Sequence, residues 1–412
     1  MSGIAPYTTA LAEDLAAHGD SVTVVTTHPH YPEWELREGH GGWSRTEKVN
    51  GVTVRRVRHH IPSRPHGCRR LLSEISFGLR LLVAPWGRPD VVVMVSPALF
   101  ASTLAMTRAK WGLRRPPVGL WIQDIYALGV EETRSSGGAV RRLIRSVENW
   151  TYRQADSITV IHERFRTYVT AAEGVSAAKV DVVRNWTHLE ADTRVDTTST
   201  RASLGWAADE LVVLHAGAQG VKQDLLNVVD AARLADERSL PVRFVLVGDG
   251  SQRAMLMDAA EGVERIQFIS PLPCDDFQHV LRCADVLLVN EMPGLKGMAV
   301  PSKLTSYFDS GRPVVAATDP DSTTADELAV SGGGWRVDPG EPGKLVDAVL
   351  RVGQDPQLAA RLAAAGHAFR HQHLGADSAL SHLERWIASL RWGAPVRGQS
   401  VNRSRSGRPS VG

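Results

Sequence analysis

The feature that most constrains this chain is a repeated alternation. Short β-branched runs of strand length are separated by segments with helical spacing, and the series stops once and starts again. In the first block a helix to about residue 17 is followed by strand-like runs at 21–27, 52–58, 90–95, 118–122, 157–161 and 179–183, with a further helix over about 139–153. In the second, runs at 211–216, 243–247, 265–269, 286–290, 314–317 and 334–337 alternate with helices that include 223–235 and 275–283 and continue to about 390. Strands that alternate with helices stack in parallel, with helices on both faces. The expected class is therefore α/β, with two doubly wound, Rossmann-like domains at 1–186 and 204–375. The polar Thr-, Asp- and Ser-rich stretch 187–203 reads as the linker. Residues 376–390 read as a last helix. Residues 391–412 are Gly, Ser, Pro and Arg without apolar pattern and read as a disordered tail. Ligands of such sheets bind beyond the C-terminal ends of the strands, so two domains facing each other define a cleft.

The chain has 412 residues, enough for two cores, and a net charge of only +2, which argues against a nucleic-acid partner. Cys68, Cys274 and Cys283 lack metal or redox spacing. With no signal peptide and no apolar run of spanning length, the expected location is the cytoplasm. Charge is uneven, however. Between Arg55 and Arg88 stand eight arginines and a single acid, Glu74. Leu71, Leu72, Ile75, Leu79 and Leu82 form a helical stripe beside Arg69, Arg70 and Arg80. This stretch, 55–88, is either a surface for anionic membrane or a core-facing helix with a solvated basic side.

Two loops of the second block suit a phosphate. The strand 211–216 runs into Gly217-Ala218-Gln219-Gly220-Val221-Lys222-Gln223, where glycines permit close backbone approach and Lys222 supplies a point charge. The other is Gly297-Met298-Ala299-Val300-Pro301-Ser302-Lys303, in which Ser302 reads as the N-cap of a helix. Leu304, Tyr307 and Phe308 make that helix's apolar face, Gly311 ends it, and Pro313 blocks its continuation. Free N–H groups, a helix dipole and Lys303 all favour an anion there. In the first block, Asp124 ends a strand, either facing the cleft or capping the next segment. Asp319-Pro320-Asp321 mimics a metal-binding Asp-X-Asp pattern but reads as a turn after a strand.

Pro301-Ser302-Lys303-Leu304 followed by Gly311-Arg312-Pro313-Val314-Val315-Ala316 resembles the donor site of bacterial family 4, GT-B-fold glycosyltransferases of the colanic-acid and N-acetyl-fucosamine transferase type. Pro29-His30-Tyr31-Pro32-Glu33-Trp34, Ile122-Gln123-Asp124, Asn185-Trp186, the 217–223 loop and Val247-Gly248-Asp249-Gly250 occur in the family's order. The resemblance implies a retaining transfer from a nucleotide diphosphate donor, UDP-linked, to a lipid-linked or polysaccharide acceptor at the inner membrane face. It implies no cofactor. A departing phosphate is stabilised by fixed cations and helix N-termini, so no metal is needed. The donor side would comprise Gly217, Gly220, Lys222, Gln223, Gly248, Gly297, Met298, Ser302, Lys303 and Ser306, with Lys222 and Asp124 acting in catalysis. Gly3, Ile4, Tyr7, His30 and Asp124 would face the acceptor, and helix 376–390 would cross back to the first domain.

The chain departs from the family's pair of donor-site glutamates, having Met298 and Ser306 at those positions. That departure bears on donor identity and motivates the reading of a non-catalytic relative that binds membrane or a partner; a UDP-sugar 2-epimerase, another enzyme class on this fold, would need acid and base side chains around the sugar, and no convincing set stands out. Family members also carry a strand before the segment matching Gly3-Ile4, and it lies inside the sheet. The expectation is that Met1 is internal to a longer gene product, because strands flanking a missing one would expose unpaired ladder groups.

Overall fold

The computed structural model describes residues 4–30, 34–63, 68–128, 138–172, 174–187, 196–295 and 303–392. The first lobe contains α1 (Ala5–Ala17), β1 (Thr23–Thr27), β2 (Ser44–Val49), β3 (Val52–Val57), α2 (Cys68–Val83), β4 (Val92–Val95), α3 (Leu99–Trp111), β5 (Val118–Ile122), α4 (Gly138–Gln154), β6 (Ser157–Val160), α5 (Glu163–Ala171) and β7 (Val180–Val182). The second contains α6 (Thr197–Ser203), β8 (Leu211–Ala216), α7 (Leu226–Glu237), β9 (Val242–Val247), α8 (Arg253–Ala259), β10 (Ile266–Ile269), α9 (Cys274–Cys283), β11 (Val286–Asn290), α10 (Lys303–Asp309), β12 (Val314–Ala317), α11 (Thr323–Ser331), β13 (Gly334–Val337), α12 (Pro342–Gln354) and α13 (Pro356–His373). The last helix, α14 (Ala376–Trp392), returns to the first lobe.

The second lobe is one parallel six-stranded sheet, ordered β10-β9-β8-β11-β12-β13. Its strands are buried along their whole length at β11 and β12, as the continuous runs Val286–Asn290 and Val314–Ala317 demand. Successive strands are added outward on one side from β8 and on the other from β11, so the topological switch point falls between these two parallel strands and sets the ligand crevice beyond their C-terminal ends.

The first lobe divides its strands between a parallel sheet β4-β5-β6-β7 and a smaller sheet β1-β3-β2. In the smaller one β2 runs antiparallel to β3. The alternation pattern missed β2, which is mostly solvent-facing and polar. Asn50 and Gly51, both at positive φ (48° and 83°), make the two-residue turn that folds β2 onto β3.

Part of the stretch read as linker is helical: α6 is tied to the second lobe by Arg201, which donates to Cys283 O, Glu210 O and the Asp285 carboxylate. Thr187 N donates to Leu374 O at 3.3 Å, so the two passages between lobes lie side by side. Beyond them α14 seats Leu383, Trp386 and Leu390 against Trp121, Trp186 and Tyr7. Trp386 donates to Ser157 Oγ at 2.9 Å, and its ring occupies the space over Gly119, where a Cβ would lie 2.6 Å from Cη2. Trp392 ends the helix, and the rest of the tail lies outside the described residues.

Candidate active site

The donor side is built where β8, β9 and β11 end. After β8 the chain enters Gly217 at φ +127°, and after β9 it enters Gly248 at φ +131°; both favour glycine. The two loops touch, since a Cβ on Gly248 would lie 2.1 Å from Gly217 O and one on Gly250 2.4 Å from Gln219 O. Gln219, fully buried, joins them by donating to Gly248 O at 3.2 Å. Gly220 is in ordinary extended backbone, and its N–H donates to Gln223 Oε1 at 3.1 Å. Val221–Gln223 form one 3₁₀ turn that carries Lys222. Asn290, at the end of β11, holds this turn by donating to Gln223 O and Asp224 O, both at 2.9 Å.

Lys303 opens α10, and Leu304, Tyr307 and Phe308 anchor that helix in the core. The Lys303 ammonium reaches inward to 3.3 Å from His215 Nε2 and lies near Gly217. Burial pushes it down to about 8, against an opposing pull from the Glu291 carboxylate. His215 is itself held well below the ordinary imidazole range by burial and by Lys303. Glu291, pushed up by burial, accepts hydrogen bonds from Thr318 and from Thr324 Oγ1. Ser306 is partly exposed on α10. Gly297, Met298 and Ser302 lie outside the described residues.

On the first lobe Asp124 follows β5. Ser96 fixes its backbone, accepting from Gln123 N and Asp124 N and donating to Asp124 O at 3.0 Å. The capping alternative for Asp124 goes instead to Glu148 of α4, whose Oε1 accepts from Tyr126 N and Ala127 N at 3.0 and 3.3 Å. Burial pushes Asp124 up to about 6, while Lys222 of the opposite lobe and then Arg70 pull it down. Asp124 thus feels the charge of Lys222 from the opposite lobe. Burial also pushes Glu74 and Glu148 up to about 7. A cavity of about 20 Å³, room for one water, is lined by Asp124, Tyr126, Glu148 and Ser96.

Two residues expected on the acceptor side are otherwise engaged. Tyr7 is 3% exposed and packs edge-on against Trp186 at 5.1 Å, which makes it a core residue of α1. Ile4 precedes it at the start of that helix, and Gly3 lies outside the described residues. His30 bonds His28 O at 2.9 Å through Nδ1 and stacks edge-on against His59 and Trp34. His215, Ser96 and Glu148 were not singled out by the sequence pattern. A buried histidine inside the apolar run 211–216 was the one signal for the first of them.

Two α/β lobes built on parallel sheets and facing each other form the GT-B architecture. Residues 2–186 match the model of the glycosyl transferase 4-like domain, and residues 210–355 match that of glycosyl transferases group 1. The chain belongs to this glycosyltransferase family. It is similar to the putative colanic acid biosynthesis glycosyl transferase WcaI of Escherichia coli K12, at 30% identity over 326 residues, covering 76% of this chain and 78% of the relative. Its fold is that of a sucrose-phosphate synthase of Thermosynechococcus elongatus (TM-score 0.71, 15% identity, 95% and 94% of the two chains covered). Anabaena HepE, determined in complex with UDP-glucose, also shares the fold (TM-score 0.61, 20% identity, 80% and 86% covered).

Proposed function

We propose that this glycosyltransferase moves a sugar from a UDP-linked donor to a lipid-linked or polysaccharide acceptor, with retention of anomeric configuration, in cell-surface polysaccharide assembly. The observation that carries the reading is Lys303 seated against the Gly217 loop that leads to Lys222, with Asp124 on the opposite lobe under the influence of the Lys222 charge. Breaking the sugar–phosphate bond leaves negative charge on the diphosphate. Cations already fixed there stabilise the transition state more than the ground state. Lys222 and Lys303 fill that role without a metal or cofactor, and Asp124 receives the acceptor. The names of the similar proteins, a colanic acid transferase and a UDP-glucose complex, favour the same chemistry. The test is mass spectrometry of products from a panel of nucleotide sugars and a bacterial lipid extract, with and without chelator, and NMR of the new anomeric centre. Nucleotide binding without turnover on any acceptor would favour the non-catalytic reading, and an inverted product would exclude retention.

The acceptor side also fits a membrane surface. Helix α3 packs between α2 and α4, and the outside of this layer exposes Leu72, Leu79, Val83, Trp111 and Leu143 beside Arg69, Arg141 and Arg142. The expected basic stretch is narrower than its sequence suggests. Arg56 pairs with Glu47, Arg55 reaches Pro85 O, and Arg80 stacks on Trp43 at 3.6 Å. Among the described residues no helix is long and apolar enough to cross a membrane, so peripheral docking is the mode proposed.

A further inference from the structure

His162 and Arg184 follow β6 and β7 in the first lobe, yet both end on the second. Glu327 of α11 accepts from Arg184 Nε at 3.0 Å, and its Oε1 lies 3.1 Å from His162 Nε2; His162 and Glu327 are only 3% and 6% exposed. His162 Nδ1 accepts from Arg164 N at 3.1 Å, which places the proton of the neutral ring on Nε2, where it donates to Glu327. Burial pushes Glu327 up, but the His162 bond and the Arg184 charge outweigh it and hold the carboxyl below its ordinary value. One residue earlier on α11, Asp326 takes a two-pronged bond from Arg164, with Nη2 at 2.9 Å from Oδ1. All five side chains are thus paired across the lobe boundary.

Both ends of this contact run into the cleft. On the second lobe, Thr324 in the same helical turn donates to Glu291, the carboxylate that faces Lys303. On the first lobe, Asn185 follows Arg184 and donates to Gln123 Oε1 at 2.8 Å, and Gln123 precedes Asp124.

We propose that His162, Arg164 and Arg184 closing on Asp326 and Glu327 form an interlobe latch, and that these are positioning residues that hold Asp124 opposite Lys222. The latch works through the relative placement of the lobes, so it touches neither donor nor acceptor. Its effect on rate rests on the transfer reaction proposed above; its effect on lobe geometry does not.

The Arg164–Asp326 pair is about one-third exposed on each side, so its variants should fold. Arg164→Asp, Asp326→Arg and the double swap would each be made with spin labels on Leu143→Cys and Met257→Cys, exposed positions on α4 and α8, after replacing the native cysteines with serine. Pulsed dipolar measurement should show one interlobe distance in the parent, a broader and longer distribution in each single variant, and recovery in the swap. The proposed donor loops all belong to the second lobe, so the Kd for UDP should stay within about twofold while kcat/KM falls on the order of tenfold, as for misplaced reacting groups. The swap should restore kcat/KM as well. Unchanged distances in the single variants, or a swap no better than either single change, would overturn the latch. If no acceptor supports turnover, the distances alone decide the latch and the kinetic failure counts against the proposed reaction.

Discussion

Lys303 offers the sharpest test of the donor site. An ammonium with an ordinary value of 10.5 is pushed by burial down to about 8. That gap corresponds to about 3 kcal/mol of penalty on the charged form. A bound diphosphate removes the penalty, because its negative charge replaces the water that the ammonium gave up. The sign follows directly. Below pH 8 the site is already cationic and binding takes up little proton; above pH 8 the free site is neutral, and each binding event must draw one in. With a midpoint near 8, uptake should be about 0.1 proton at pH 7 and about 0.9 at pH 9. The apparent Kd for UDP should weaken about tenfold per pH unit above 8. Titration calorimetry of UDP in buffers of different ionisation enthalpy reads the uptake. Lys303→Arg, cationic throughout, supplies the baseline from UDP's own ionisation. The reasoning is refuted if uptake at pH 9 matches that of Lys303→Arg, or if Kd is flat from pH 7 to 9.

Other expectations concern separate parts of the molecule. Lys222→Ala should lose about 10²–10³ in kcat, the scale of one oxyanion donor, with an unchanged melting curve; near-normal turnover would remove Lys222 from the mechanism. The acid limb of kcat/KM should follow Asp124 near pH 6, and Asp124→Asn should abolish that limb along with most activity. Gly119→Ala would drive a Cβ into the Trp386 ring and should cost about 1–3 kcal/mol in denaturant unfolding; no loss would mean that α14 does not seat there in solution. Binding to anionic vesicles should weaken as salt rises, and Leu72→Ser with Arg141→Gln should reduce it, whereas salt-independent binding would argue against the α2–α4 surface.

Much of the fold was legible because a buried parallel sheet writes itself as mostly apolar runs: 118–122, 211–216, 286–290 and 314–317 coincide with β5, β8, β11 and β12. The solvent-facing β2 lacks such a run, and its one local signal, Asn50-Gly51, went unused. α6 was hidden by its Thr and Ser content, which suits caps and turns better than helix interiors. At the site, glycines and lysines could be read from loop chemistry, since their role is local. Glu148, Ser96 and the His162–Glu327 contact were illegible for the opposite reason. Their partners lie far along the chain, and nothing in the residues beside them reports the pairing.

The side-by-side passages at Thr187 and Leu374 have a further consequence. Two tethers at one place hold the lobes at an effective concentration on the order of millimolar. A half-buried pair such as Arg164–Asp326, worth about 1 kcal/mol, would never by itself join two free proteins. Between tethered lobes the same small energy tips an equilibrium several-fold. It also leaves the opposite arrangement within thermal reach, so an enzyme that must admit a donor and release a nucleotide gains from having its halves joined twice and fastened weakly.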